Sequence, residues 1–367
     1  MKPTRLSIGV PKEIKVHEGR VGLTPEGVRH LVRLGATVWI EHHAGEKSGL
    51  PDAEYRRAGA KLASAAEVWR RAGLIVKVKE PVGPERNRLR EGQALFCYLH
   101  LAPDPALVRV LLKKKVTAID YEHVELSDGS TPLLFPMSDI AGRLCIVLGS
   151  YYVACHPAGS GVLLGVGGGL PGGEVVVLGA GTVGRAAAEE AVAIGAKVTV
   201  LDISEKSLAR VRRMFGKKVR TLRATSAAIT RAVRDADLLV GAVYHHGESS
   251  PKLVTERMVR SMKKGSLIMD VSIDQGGCVG TSRPTTHDDP VFVRHGVLHY
   301  AVTNMPGTVP KTSTRALTSR TLLYVEKLAR YGVEGALRRF PEIARALNTR
   351  DGRLIHPGVR RSLPQFA

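Results

Sequence analysis

A chain of 367 residues, 44% of them hydrophobic, is long enough to bury two separate cores. No apolar run approaches the roughly 18 residues of a membrane span, and four cysteines (Cys97, Cys145, Cys155, Cys278) are too few and too scattered for a disulfide scaffold. The formal net charge of +20 would suit a polyanion, yet the densest basic runs, Lys113–Lys115 and Arg338–Arg339, are short and no nucleic-acid-binding pattern accompanies them, so nucleic acid is not an expected partner.

The chain opens with Lys2, Arg5 and a short apolar run, Leu6–Val10. It lacks the long apolar core and cleavage site of a signal peptide and reads as a first strand entering the fold. A cytoplasmic protein without a membrane partner is the expectation. Thr24-Pro25-Glu26 reads as an N-cap with proline in the first turn of a helix that Gly35 ends. Strand-like runs follow at Thr37–Glu41, Leu74–Lys79, Ala94–Tyr98 and Val116–Asp120, alternating with helix-like stretches. That alternation predicts an α/β fold with largely parallel sheets. A helix is predicted over Ser138–Val153, then a glycine-rich stretch from Gly159 to Gly173. Cys155 beside His156 has no second ligand pair at zinc-like spacing, so reduced thiols and no metal are expected. A second strand series runs through Glu174–Leu178, Lys197–Leu201, Val219–Leu222, Asp237–Val240 and Ser266–Asp270, with a helix at Thr182–Ile194, and the tail from Thr308 is predicted helical.

Glu174–Leu178 runs into Gly179-Ala180-Gly181-Thr182-Val183-Gly184, a G-x-G-x-x-G that follows an apolar strand and opens a helix. Gly179 permits the tight turn, Gly181 lets the backbone approach a pyrophosphate, and Gly184 lets the helix pack on the strand. Thr182 and Val183 then begin a helix whose N–H groups face the phosphates. Asp202 ends the next strand, where a carboxylate binds both ribose hydroxyls and repels a 2′-phosphate; NAD is therefore the expected cofactor. The expected architecture has two α/β domains, a Rossmann NAD-binding domain over 134–307 inserted in a flavodoxin-like or Rossmann-like substrate domain built from 1–133 and 308–367.

The remaining motifs carry a resemblance. Pro11-Lys12-Glu13, Glu18-Gly19-Arg20-Val21-Gly22-Leu23-Thr24-Pro25, Lys77-Val78-Lys79-Glu80-Pro81, Phe96-Cys97-Tyr98-Leu99-His100-Leu101-Ala102, Asp270-Val271-Ser272-Ile273-Asp274-Gln275-Gly276-Gly277, Ser282–His287 and Asn304-Met305-Pro306-Gly307 stand in one order along the chain. Together they resemble the alanine dehydrogenase and pyridine nucleotide transhydrogenase family. The resemblance implies that Arg20 and Lys79 hold the substrate, that His100 and Asp274 do acid–base work, and that Tyr98 lines the pocket. It implies that Asn304 and Met305 shape the nicotinamide end, with Ser138, Val243 and Asp274 also touching cofactor. It further implies reversible conversion of L-alanine to pyruvate and ammonium, and a homo-oligomer, commonly a hexamer. Other family members acting on amino acids or imines (saccharopine dehydrogenase, carboxyethylornithine synthase) and the non-deaminating transhydrogenase subunits are the competing assignments.

The chemistry agrees with those residue types. An amino-acid carboxylate needs a cation, and arginine offers a planar fork of donors. A second cation at Lys79 polarises the carbonyl or carbinolamine oxygen, and a histidine shuttles protons near neutrality. Each residue also has a plain structural reading. Arg20 is a loop charge, His100 a hydrogen-bonded core histidine, Asp274 a cap before Gly276-Gly277, and Asn304-Met305 a turn. Strand alternation puts Lys77 and Lys79 on one face, with Lys77 the solvent-facing partner, unless Lys79 lies beyond the strand end. Because the substrate residues precede the Rossmann unit and Asp274 follows its later strands, a cleft between domains that closes on substrate is expected. Two segments depart from the family pattern: Tyr244-His245-His246-Gly247-Glu248-Ser249-Ser250-Pro251-Lys252, where an aliphatic residue and a Pro-Gly loop are usual, and Cys155–Ser160.

Overall fold

The computed structural model describes residues 6–243 and 250–366. Tyr244–Ser249, with His245 and His246, lie outside the described residues. Among the described residues the strands are β1 (Ser7–Val10), β2 (Thr37–Glu41), β3 (Lys61–Ala63), β4 (Leu74–Val76), β5 (Ala94–Cys97), β6 (Thr117–Asp120), β7 (Glu174–Leu178), β8 (Lys197–Asp202), β9 (Val219–Arg223), β10 (Leu238–Gly241), β11 (Leu267–Asp270), β12 (Val291–Arg294), β13 (Val297–Tyr300), β14 (Leu347–Arg350) and β15 (Arg353–Leu354). The chain divides into two compact units. One is formed by residues up to Met137 together with those from Gly307 onward, the other by Ser138–Pro306.

In the first unit eight strands lie in the order β15-β14-β6-β5-β4-β1-β2-β3. From β1 to β6 every pairing is parallel, so helices must cross over between strands and cover the sheet. Strands buried on both faces read as unbroken apolar runs, and Leu74, Ile75, Val76, Leu95 and Phe96 are all fully buried. Trp69, Leu107, Leu111 and Val359 pack with Ile75 and Leu95 in one core. The helix Pro25–Arg33 starts as its sequence dictates, with Thr24 Oγ1 accepting from Gly27 N at 3.2 Å. Gly35 takes φ +87°, a left-handed value that an L side chain resists, and so ends the helix.

Two expectations need correction in this unit. The predicted strand Leu74–Lys79 stops at Val76, so Lys79 stands beyond the strand end. Lys77 faces the interior, fully buried, because buried carboxylates meet it there. The tail is not wholly helical either. After the long helix Pro310–Arg339, β14 runs antiparallel to β6 and β15 antiparallel to β14, closing that side of the sheet.

The second unit has seven strands in the order β12-β13-β11-β10-β7-β8-β9. All are parallel except β12, which runs antiparallel to β13. From β9 across to β13 this is the doubly wound order of a dinucleotide-binding fold, with its reversal between β7 and β10. Helices Thr182–Ala193, Glu205–Phe215 and Ser226–Asp235 link the first of these strands. The helix predicted over Ser138–Val153 extends a little at each end, to Phe135–Cys155. All four cysteines are free, with Cys97, Cys145 and Cys278 buried and Cys155 exposed. Among the described residues no helix is long and apolar enough to cross a membrane.

His299, fully buried on β13, ties this unit to pH. Its Nε2 lies 2.8 Å from Thr281 Oγ1 and its Nδ1 3.0 Å from Val297 O. Burial pushes its pKa down to about 4. In the unfolded chain a histidine titrates near ~6.5, so on acidification the unfolded state takes up the proton first. The histidine's contribution is complete above ~6.5 and is lost as pH falls toward 4. Urea midpoints should therefore drop between pH 7 and pH 5 in the wild type, and drop less in His299→Gln. An equal drop in both proteins rules out this source.

Candidate active site

In an open α/β sheet, ligands bind beyond the carboxyl ends of the strands where the winding reverses. In the first unit that point lies between β1 and β4, and the segments leaving these strands and the neighbouring β5 carry the predicted residues. Arg20 comes from the segment after β1, Lys79 from that after β4, and Tyr98 and His100 from that after β5.

Arg20 is 2% exposed, which excludes the surface-loop reading. Its Nε donates to Glu18 Oε1 at 2.7 Å and its Nη2 to Glu18 Oε2 at 2.5 Å, a bidentate pair, while Nη1 lies 3.0 Å from Met137 Sδ. Burial works against the charged form, but the Glu18 carboxylate more than offsets it and raises the pKa of Arg20, which stays charged.

Lys79 is nearly buried, with Nζ 2.9 Å from His100 Nε2 and 5.8 Å from the Tyr98 ring centroid. An ammonium has no lone pair, so with Lys79 charged it donates and His100 Nε2 accepts. The imidazole proton then sits on Nδ1, which lies 3.3 Å from Glu122 Oε1. Burial and then the Lys79 charge hold the pKa of His100 well below the usual histidine range. His100 takes φ +43°, a left-handed conformation that histidine adopts more readily than most side chains. The Tyr98 ring stacks on His100 at 6.2 Å and 9°, and its hydroxyl donates to Leu133 O at 2.7 Å. Tyr98 therefore offers its ring face, its hydroxyl being committed to the backbone.

Sequence reasoning missed the carboxylates behind these groups. Glu13 Oε1 accepts from Val78 N at 2.7 Å, and Glu13 Oε2 accepts from Lys77 Nζ at 3.1 Å. Lys77 also donates to Glu85 Oε1 at 2.6 Å. Burial lifts the Glu13 carboxyl to about 7, with the Lys77 charge opposing, and the two carboxylates keep Lys77 charged. The signal was present in the paired Lys77-Val78-Lys79, but Glu13 stands 64 residues away in sequence.

In the second unit the glycine loop follows β7. A Cβ on Gly184 would stand 1.8 Å from Gly179 O, and one on Gly179 2.4 Å from Ala242 O. Around Gly181, by contrast, a Cβ would meet nothing within 4 Å, so its backbone faces open space. Gly181 caps the helix Thr182–Ala193, and Thr182 and Val183 open it. Asp202 ends β8, its Oδ2 accepting from Ala180 N at 2.6 Å and its Oδ1 from Ser204 N at 2.7 Å. The cap of the following helix is Ser204, not Asp202. Each carboxylate oxygen has a second lone pair for a ribose hydroxyl.

Val243 follows β10 and donates through N to Ser272 Oγ at 3.1 Å. Asp274 lies exposed in the short 3-10 helix Val271–Gln275 after β11. Asp270 also braces this region, accepting from Cys278 N at 3.2 Å and Val279 N at 3.1 Å. Asn304, at φ +60°, and buried Met305 follow β13, and Ser138 is half-buried near the start of the helix Phe135–Cys155. Among the described residues no group of three or more His, Cys, Asp or Glu could hold a metal.

The chain matches the family described as alanine dehydrogenase/PNT, with the N-terminal domain over residues 9–141 and the C-terminal domain over 145–357. It is 51% identical to an alanine dehydrogenase of Methanococcus maripaludis, over 97% of this chain and 96% of that one. It is 46% identical to an alanine dehydrogenase of Mycolicibacterium smegmatis at the same coverage. The solved structure of an L-alanine dehydrogenase superposes with a TM-score of 0.94 at 47% identity, covering 99% of this chain and 100% of that one.

Proposed function

This chain belongs to the alanine dehydrogenase/PNT family, and on that premise we propose that it is an amino-acid dehydrogenase converting L-alanine and water reversibly to pyruvate and ammonium with NAD. The observation that carries the reading is the Lys79–His100 contact, at 2.9 Å, beside the buried Arg20 at the switch point of the first sheet. Family membership implies a pyridine nucleotide; NAD rather than NADP is supported by the Asp202 carboxylate at the end of β8. Gly179, Gly181, Thr182, Val183, Gly184, Asp202 and Val243 would hold it, with Ser138, Asp274 and Met305 as further contacts. Bound NAD supplies the acceptor for the hydride lost from the substrate Cα.

The remaining chemistry belongs to the chain. Arg20, held rigid by Glu18, binds the substrate carboxylate. Lys79 steadies the oxygen at Cα as water adds and as the carbonyl forms. His100, neutral at rest, takes a proton from that water and returns one to the departing amine. Asp274 is assigned the second proton-handling role, Tyr98 supplies an apolar wall, and Asn304 shapes the nicotinamide end.

Exposed Val147 and Tyr151 on the helix Phe135–Cys155, with Leu163, Val166 and Leu170 nearby in sequence, leave apolar surface that supports a homo-oligomer, read as a hexamer. The four free thiols suit a reducing compartment, and the reading puts the enzyme in the cytoplasm. The test is NADH absorbance with purified protein, NAD and a panel of L-amino acids, and with oxo acids plus ammonium in reverse. L-Alanine and pyruvate should be the preferred pair, with NADP a poor substitute. Binding of NADH without turnover of either would end the alanine assignment while leaving the cofactor site standing.

A further inference from the structure

The segment that carries Lys79 is not part of the sheet, since β4 ends at Val76. Two backbone bonds join it to the neighbouring strand and its extension, Lys77 N to Phe96 O at 3.2 Å and Tyr98 N to Val78 O at 3.0 Å. Arg86 Nε donates to Pro81 O at 3.1 Å, and three carboxylates add further ties. Glu13 takes Val78 N and Lys77 Nζ, Glu85 takes Lys77 Nζ and, through Oε2, Val82 N at 3.0 Å, and Lys15 Nζ meets Glu80 Oε1 at 2.5 Å. Residues 77, 78, 80 and 82 are thus held on either side of Lys79. Glu13, Lys77 and Glu85 are 6%, 0% and 1% exposed. Burying two carboxylates on one ammonium is costly compared with an apolar cluster of the same volume, and what such an arrangement adds is a fixed geometry.

The segment after β1 supplies Glu13 and Lys15, and further along it carries Arg20. The two chain stretches bearing the substrate cations are therefore fastened to each other by side chains from one of them. We propose that Glu13 is a positioning residue of the substrate site, which with Lys77 and Glu85 sets where Lys79 stands relative to Arg20 and His100. The proposal rests on the assignment of Arg20 and Lys79 as the substrate cations.

The test compares Glu13→Ala with Glu13→Gln in the full-length enzyme. Glutamine keeps an acceptor for Val78 N and alanine removes it. A misplacement of about 1 Å costs roughly 100-fold in rate, so Glu13→Ala should lose about that factor in kcat/KM for the amino acid. Its KM for the nucleotide should stay at the wild-type value, and Glu13→Gln should recover most of the loss. A second readout needs no turnover. The groups acting on His100 are Lys79, Lys15, Arg20, His123 and Glu122. If Lys79 drifts away, the imidazole of His100, followed by NMR, should titrate closer to the ordinary histidine range in Glu13→Ala but not in Glu13→Gln. A folded Glu13→Ala with wild-type kcat/KM and wild-type His100 titration overturns the proposal, as does equal loss toward amino acid and nucleotide. Should Glu13→Ala not fold, Glu13→Asp shortens the arm while keeping a carboxyl group, and must move both readouts in the same direction. If the wild type turns over no amino acid, the reaction assignment fails, and the His100 titration alone decides the positioning role.

Discussion

His100→Ala should lower kcat for oxidative deamination by roughly 10²–10⁴, the usual worth of a positioned acid–base group, and leave NADH affinity unchanged. The size follows from how the imidazole is held. Its Nε2 meets Lys79 at 2.9 Å, its Nδ1 faces Glu122 at 3.3 Å, and its ring runs nearly parallel to that of Tyr98 with centroids 6.2 Å apart. A water recruited to the vacated space would have neither the fixed orientation nor a suitable pKa. Lys79→Met should remove the second-largest cause of the depressed His100 pKa, so the imidazole should titrate at higher pH in that variant. The depressed value also means that in the wild type His100 remains a base below pH ~6.5, where a free histidine is half protonated. NADH fluorescence titration, single-turnover rates and imidazole NMR together read all three effects. A His100→Ala enzyme retaining a tenth or more of wild-type kcat would remove His100 from the chemistry.

The second large effect separates fold from binding within one motif. Gly181→Val puts its side chain where the structure has open space, so the melting temperature should hold while NADH affinity falls by roughly 10–100-fold, about 1.4–2.8 kcal/mol. Gly184→Ala meets Gly179 O at 1.8 Å and forces helix and strand apart. Overpacking of this kind costs roughly 1–3 kcal/mol, and the melting temperature should fall together with affinity. Isothermal titration and calorimetry on the two variants provide the contrast. Wild-type NADH affinity in Gly181→Val would mean that the pyrophosphate does not cross that glycine.

The cofactor half was the more legible in the sequence, and the reason is local. A tight turn, an open approach and a close packing contact each demand glycine at a set spacing, and the carboxylate at the end of the next strand follows from the same crossover. The substrate half was legible only as far as its motifs. Lys77 illustrates the limit. Alternation assigns a face only while a strand continues, and β4 stops one residue earlier, so the side chain turns inward to Glu13 and Glu85. Whether Arg20 was buried depended on Glu18 and Met137, the latter far along the chain, and no window of sequence holds both. Strands β14 and β15 are short and half polar, and a helical tail concealed them.

The order in which the first sheet is laid down has a consequence for synthesis. β6 leaves the ribosome well before β14, which pairs with it only after the whole second unit has been made. Until then β6 is an open strand edge with unpaired backbone groups, the kind of surface on which nascent chains associate wrongly. The second unit is contiguous and takes no strand from the tail. The first is completed only by the last few dozen residues, with β14 as its closing piece. A nascent chain halted before Leu347 should hold every strand of the second sheet while β6 in the first still lacks its partner.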